Sequence, residues 1–434
     1  MPRPRALPLG RRTRPRAHRR KRTRGTIISI TCGIDWAEAH HDVTVLDGDG
    51  TILDRRKIGT GLAGFGELMA LLTEHAGDPA SVPVAIETDK NLIVAALQAA
   101  GVTVFAINPR AVARYRERHG QSGKKSDPGD AAVLADVLRT DSHRHRRLPA
   151  ISHGGRAVKA LARQHQEAIW AEHQTTSRLR SVLLEFYPQA LQAFPNLKHK
   201  AALTILTAAS TPELAAKMTT RRIVASLHRC GRRNDPALVE QILTDLKTDA
   251  LRQPAAVEAA LGNTVVGLLG VITAMHAAVE QLEAALAAEF DQHPLAPVLR
   301  SAPGLGPVLA ARVLAEVGDD NNRFTTAGGL RAFAGTAPVT RASGRSRKVS
   351  ARRVRNKRLG DACHWWAFAI LTKSAGARGH YDRRRAAGDH HNAALRNLAN
   401  KLIGRMWWCL HNNQIWDENA AWNHQGTEAT QPAA

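Results

Sequence analysis

The chain has 434 residues, enough for two or three domains and an ample core. Its 61 Lys and Arg against 38 Asp and Glu give a net charge of +23, which makes a polyanion the default partner. The stretch before Cys32 lacks the apolar core of a signal peptide, and no run approaches the roughly eighteen apolar residues of a membrane span, so no membrane partner is expected. Cys32, Cys230, Cys363 and Cys409 are scattered without a C-x-x-C, which excludes a zinc ribbon and favours a reducing cytosol.

Residues 1–24 carry ten Arg and Lys21, interleaved with Pro and without an acid, so residues 1–25 form a basic tail expected to be unstructured. It reads either as a nucleic-acid arm or as a translated upstream region. Removing its eleven charges leaves +12, so the folded part is basic as well.

A domain is expected over 26–150. Thr26–Asp35 is β-rich and ends on an acid, and Asp42–Asp47 and Thr51–Ile58 follow across turn signals, which predicts an antiparallel meander. A helical pattern (Phe65, Leu68, Met69, Leu72) leads to a buried-looking strand, Val82–Glu87, that again ends on an acid. A second helix (Leu92, Val94, Leu97) leads to the strand Val102–Ile107, stopped by Asn108-Pro109. The last element is a helix from Asp127 to Leu138, with Asp127 and Asp130 on one side of its first turn. An ordinary cap, with Asp127 as N-cap and Pro128 at the first helical position, accounts for the same two residues.

Three antiparallel strands followed by alternating helix and strand predict a mixed sheet with helical cover. Asp35 and Glu87, at the ends of two strands, could then share an edge that the Asp127/Asp130 helix closes. Four carboxylates together repel unless cations neutralise them, and all-oxygen ligands suit Mg²⁺ or Mn²⁺ rather than zinc. Two such ions, about 4 Å apart, would clamp the attacking and leaving oxygens of a phosphodiester. Each acid also has a bland reading as a turn residue. Asp89 is the nearest rival ligand, and Asp42, Asp47 and Asp136 read as solvated or hairpin positions.

Residues 151–292 are expected to be a helical connector. Ala157–Phe186 reads as one helix, 195–260 as shorter helices broken by prolines. Val265, Leu268, Ile272, Met275, Val279, Leu282 and Leu286 form a heptad seam for pairing within or between chains.

In 293–415, a helix running into Pro303-Gly-Leu-Gly306, with a second helix from Pro307, reads as a helix-hairpin-helix. Gly304 and Gly306 would admit a phosphate to backbone N–H groups, and a simple tight turn is the alternative. From Arg341 to Arg358 there are nine Lys and Arg and no acid, among them Arg341, Arg345, Arg347, Lys348, Arg352 and Arg353. Ser343 sits in this stretch next to Gly344, which would let the loop approach a backbone. No His or acid adjoins it, so on spacing alone it is a solvated loop serine. The tryptophans read mainly as core, Arg383–Arg385 as facing nucleic acid, and 416–434 as an unstructured end.

Gly33-Ile-Asp35, Ala85-Ile-Glu87, Lys125-Ser-Asp127-Pro-Gly-Asp130-Ala and Ala334-Gly-Thr-Ala-Pro-Val with Ser343-Gly344 together resemble the DEDD-type insertion-sequence transposases, the IS one-ten family. The resemblance spans about Thr26 to Leu410. It implies a RuvC-like, RNase H-like N-terminal domain (α/β), a helical coiled-coil connector used in dimer assembly, and a mostly α C-terminal domain. It further implies Asp35, Glu87, Asp127 and Asp130 as ligands of two Mg²⁺ ions, Lys124 and Lys125 beside the scissile phosphate, and Ser343 as covalent nucleophile. Ser346 and Ser350 are the fallback choices. DNA, a structured guide RNA and further copies of the chain, two or four, are the implied partners, in a bacterial cytoplasm at the nucleoid. The Arg-rich tail and Asn356-Lys-Arg-Leu359 depart from the family pattern. Two rival readings remain: a RuvC-like nuclease that uses metal-activated water, and a non-catalytic basic DNA-binding protein.

Overall fold

In the computed structural model, which describes residues 30–119, 126–232 and 235–422, the first element is a five-stranded mixed sheet. Its strands are β1 (Ile30–Trp36), β2 (His40–Asp47), β3 (Ile52–Gly59), β4 (Val84–Ile86) and β5 (Val104–Ala106), in the order β3-β2-β1-β4-β5. The first three form the antiparallel meander, and β4 and β5 add parallel to β1. Helices α1 (Gly61–Ala76), α2 (Leu92–Ala99), α3 (Pro109–His119) and α4 (Asp127–Asp141) complete this part. The basic tail, Lys124 and Lys125 lie outside the described residues.

Strand alternation sorts the side chains onto two faces. Cys32, Ile34, Val43, Val45 and Ile86 pack with Leu68, Leu71 and Leu72 of α1. Ala85 packs on the other face, with Val112 of α3 and Leu134, Val137 and Leu138 of α4. α3 has no counterpart in the sequence reading, which stopped at Asn108-Pro109. Asn108 in fact caps this helix, its side-chain oxygen accepting from Arg110 N at 2.9 Å.

The chain divides into two compact units between Leu148 and Pro149. In the second, α5 (His153–Phe186) pairs with the helix Ala255–Asp291. Thr175 Oγ1 meets Met275 Sδ at 3.7 Å and His165 Nε2 lies 3.9 Å from Glu283, so the two run antiparallel. The heptad seam is thus turned onto α5 of the same chain, with Val265, Ile272 and Leu286 fully buried. Short helices, Lys200–Ala208, Thr220–Arg229 and Pro236–Lys247 among them, close a core around one end of this pair. The other end joins the helices Pro307–Val317, Lys357–Ala369 and His391–Asn412 in the largest core of the chain.

Two expectations are corrected here. Ala255–Asp291 is, by length and composition, long and apolar enough to cross a membrane. Ala, Gly and Thr interrupt its apolar residues, so no unbroken apolar run marks it, and in the fold its seam is occupied by α5. Residues 416–422 are ordered rather than loose: Trp416 is buried edge-on against Trp366, and Glu418 begins a short helix ending at Trp422.

Candidate active site

The sheet register assembles the acids. One residue beyond the last β1–β4 pair, Ile34–Ile86, come Asp35 and Glu87, and across the other edge of β1 Asp35 is paired with Asp42. By parity, Asp35, Glu87, His40 and Asp42 all fall on the α4 face. Gly33 is what brings α4 close: a Cβ there would collide with the backbone of Ala131 and Ala135. Thr44 Oγ1 reaches Pro128 O at 3.5 Å and fastens the first turn of α4 over β2. Asp127 and Asp130 therefore arrive beside the strand acids.

Capping does not account for the two helical aspartates. Ser126 holds the N-cap position without a side-chain cap bond, and its carbonyl accepts the Asp130 N–H at 2.9 Å. The buried Asp130 carboxylate instead pairs with Arg116 of α3, at 2.5 Å. Burial, then the carboxylates of Asp130, Glu87, Asp127 and Asp42 in that order, push the Asp35 carboxyl up to about 6. Four negative neighbours thus act on one half-buried acid.

Asp42, read from sequence as a solvated position, is buried and belongs to this cluster. His40, Asp42 and Asp127 each offer a ligand atom within 4.8 Å of the other two. The β1–β2 register that joins them was not readable in advance, since a meander of known strands can slip by a residue. A second such group, Asp54, Glu74 and His75, already holds Arg56, whose Nη2 lies 2.8 Å from Asp54 and 3.0 Å from Glu74.

In the second unit the basic stretch is a β-hairpin rather than a loop: β6 (Val339–Ser343) pairs with β7 (Ser346–Ser350) across the two-residue turn Gly344-Arg345. Gly344 has φ +54°, as such a turn demands. Ser343 and Ser346 face each other at the exposed tip, flanked by the exposed Arg341, Arg345, Arg347 and Lys348, while Ser350 lies at the base. Dense charge hid the alternation.

The Pro303–Gly306 turn is more committed to packing than its glycines suggested. Pro303 O accepts the buried Trp366 indole N–H at 2.9 Å, and a Cβ on Gly304 would collide with the Ile370 backbone. Gly306, by contrast, opens to solvent at the start of Pro307–Val317. Arg384 and Arg385 are tied to Asp389, through its carboxylate at 2.6 Å and its carbonyl at 2.7 Å.

Comparison with known proteins agrees with this layout. Residues 32–188 match the DEDD transposase profile of the IS110 type, and residues 296–382 match the transposase profile of the IS116/IS110/IS902 family. The mini-circle protein named for IS117 in Streptomyces coelicolor is 48% identical over 91% of this chain and 97% of its own length. The 43.6 kDa protein of insertion element IS110 in the same species is 33% identical, over 68% of this chain and 72% of its own. The 42 kDa protein of insertion element IS900 in Mycobacterium paratuberculosis is 28% identical over 89% and 97%. With a mixed α/β sheet, a helical second unit and both profiles in order along one polypeptide, the chain belongs to the IS116/IS110/IS902 family of transposases, enzymes of DNA recombination.

Proposed function

We propose that the chain cuts and rejoins the ends of an insertion element, with divalent ions held by Asp35, Glu87, Asp127 and Asp130 and with Ser343 as nucleophile. The observation that carries the metal half is the convergence of strand-end and helix-start carboxylates on one face of the sheet, with Gly33 removing the side chain that would separate them. The residues fit Mg²⁺ or Mn²⁺: their donors are oxygens, and burial with the neighbouring carboxylates raises the Asp35 carboxyl, a cost that divalent ions would relieve. Bound there, divalent ions would neutralise the cluster and polarise a phosphodiester. Lys124 and Lys125, just before α4, would steady the phosphate.

Ser343 Oγ would attack phosphorus, forming an Oγ–P bond as the P–O3′ bond breaks and the departing oxygen takes up a proton. A free 3′-hydroxyl then attacks the phosphoserine, restoring the Ser343 hydroxyl and the phosphodiester. Arg341 and Lys348, paired across the hairpin on the Ser343 face, with Arg345 in the turn and Arg347 on the opposite face, would supply positive charge for the pentacoordinate phosphorus. Gly306 and the start of Pro307–Val317, with Gly304 shaping the turn, would hold the DNA backbone, and Arg352 and Arg353 extend the grip. Acids and serine belong to separate units, so we assign the working site to two protomers of a dimer or tetramer. The basic surface suits a structured guide RNA beside DNA at the nucleoid.

The test is to incubate the protein and Mg²⁺ with labelled element ends and run denaturing gels. Wild type should yield protein-linked DNA, and Ser343→Ala should yield neither link nor cleavage. Undiminished cleavage by Ser343→Ala would instead favour a nuclease using activated water. Unchanged activity and metal binding in Asp35→Asn would favour a non-catalytic DNA-binding protein.

A further inference from the structure

At the base of the β6–β7 hairpin lies a cavity of about 780 Å³, within the roughly 300–1,000 Å³ span of small-ligand sites. Five cations line it: Arg352, Arg353, Arg355, Lys357 and Arg396. Among the described residues none of the five has an ion-pair partner, and the buried Nε of Arg352 has no hydrogen-bond acceptor. One acid, Asp361, also lines the cavity, and its Oδ2 already accepts from Gln166 at 2.8 Å. Like charges held together without counter-charges are unfavourable unless an anion joins them.

The cluster is built into the fold. Gly335 and Gly360 have no side chains where the Arg355 chain crosses them, and a Cβ on Gly335 would collide with it. Asn356, next in sequence, is fixed on three sides: its N–H donates to Phe333 O at 2.8 Å, its Nδ2 donates to Glu316 at 2.7 Å, and its Oδ1 accepts from Leu359 N at 3.0 Å. The cavity also has an aromatic wall. Trp170 is 37% exposed and lines it together with His364, and the Arg358 guanidinium lies 5.0 Å from the Trp170 ring centroid. Cations beside a partly open indole are the components of a nucleotide site, with phosphate on arginine and base on ring.

We propose that this cavity receives a single unpaired nucleotide of a nucleic-acid strand, its phosphate among Arg352, Arg353 and Arg396 and its base against Trp170. Duplex DNA would not enter, because a stacked and paired base cannot offer its face. The inference goes beyond strand cleavage and does not depend on which serine is the nucleophile. DNA and RNA supply the same chemistry, as a strand end or extruded base of one or an unpaired loop of the other.

To test it, the full-length protein is titrated with a 5′-phosphorylated tetranucleotide carrying 2-aminopurine, in DNA and in RNA form. Stacking on Trp170 should quench the fluorescence. Trp170→Ala should remove the quench and weaken binding at least about fivefold. Arg353→Ala with Arg396→Ala should weaken it further than Arg221→Ala with Arg222→Ala, which removes equal charge from two exposed positions on the helix Thr220–Arg229. Should Trp170→Ala fail to fold, the two arginine pairs decide alone. Quenching by the DNA probe, the RNA probe or both supports the cavity and names its strand. Quenching by neither, or equal weakening by the two arginine pairs, overturns it.

Discussion

Gly33 and Asp35 illustrate how two positions on one strand set the candidate site. Gly33 lies where α4 passes so close that any side chain meets backbone. Gly33→Ala should therefore destabilise the first unit by about 1–3 kcal/mol, read as a lower urea midpoint, because the obstruction is main chain that cannot rotate away. Asp35 carries the electrostatic cost of the cluster. Its folded value of about 6 lies above the ordinary 3.8, so the folded state keeps a proton that the unfolded state has lost. Stability of the metal-free protein should then fall as pH rises across that window. Asp35→Asn should melt higher than the parent near neutral pH without metal, and the gap should close once pH drops below the ordinary carboxylate range. A variant that melts lower at both would contradict the assignment of repulsion. Asp35 and Glu87 were legible in the sequence because each closes an apolar strand run. Asp42 and His40 were not, since their approach depends on a register that composition leaves open.

Among the elements, the regular helices were legible from periodicity and prolines, and the acidic edge followed from strand order. What escaped depended on partners. The β6–β7 hairpin is held by pairing despite its charge, and the Ala255–Asp291 seam could meet either another chain or α5. α3 was missed although Asn108-Pro109 is a good helix start as well as a strand stop. The basic stretch rests on a buried ionic joint: Glu316 receives two guanidinium bonds from Arg163, at 2.8 and 3.1 Å, and one from the Asn356 amide. Those partners hold the Glu316 carboxyl below its usual range despite burial. Glu316→Ala removes both of those Arg163 bonds and loosens the N-cap of Lys357–Ala369. The expected cost is about 3–5 kcal/mol by denaturant unfolding. A cost under about 1 kcal/mol would mean that the joint is solvated in solution.

Taken together, the chain carries acids in one compact unit and a basic serine hairpin in the other. If the working site combines units from two protomers, mixing inactive Asp35→Asn protein with inactive Ser343→Ala protein should restore part of the activity, since some mixed assemblies hold one intact pair. No recovery under conditions that exchange subunits would place both halves in one protomer. The account depends most on a covalent bond between DNA and one side chain. Trapping that species on labelled element ends, digesting it and locating the phosphorylated residue by mass spectrometry tests this directly. The account predicts a single linkage at Ser343 that disappears in Asp35→Asn. A linkage at Ser346 or Ser350, or one that survives loss of Asp35, would contradict it.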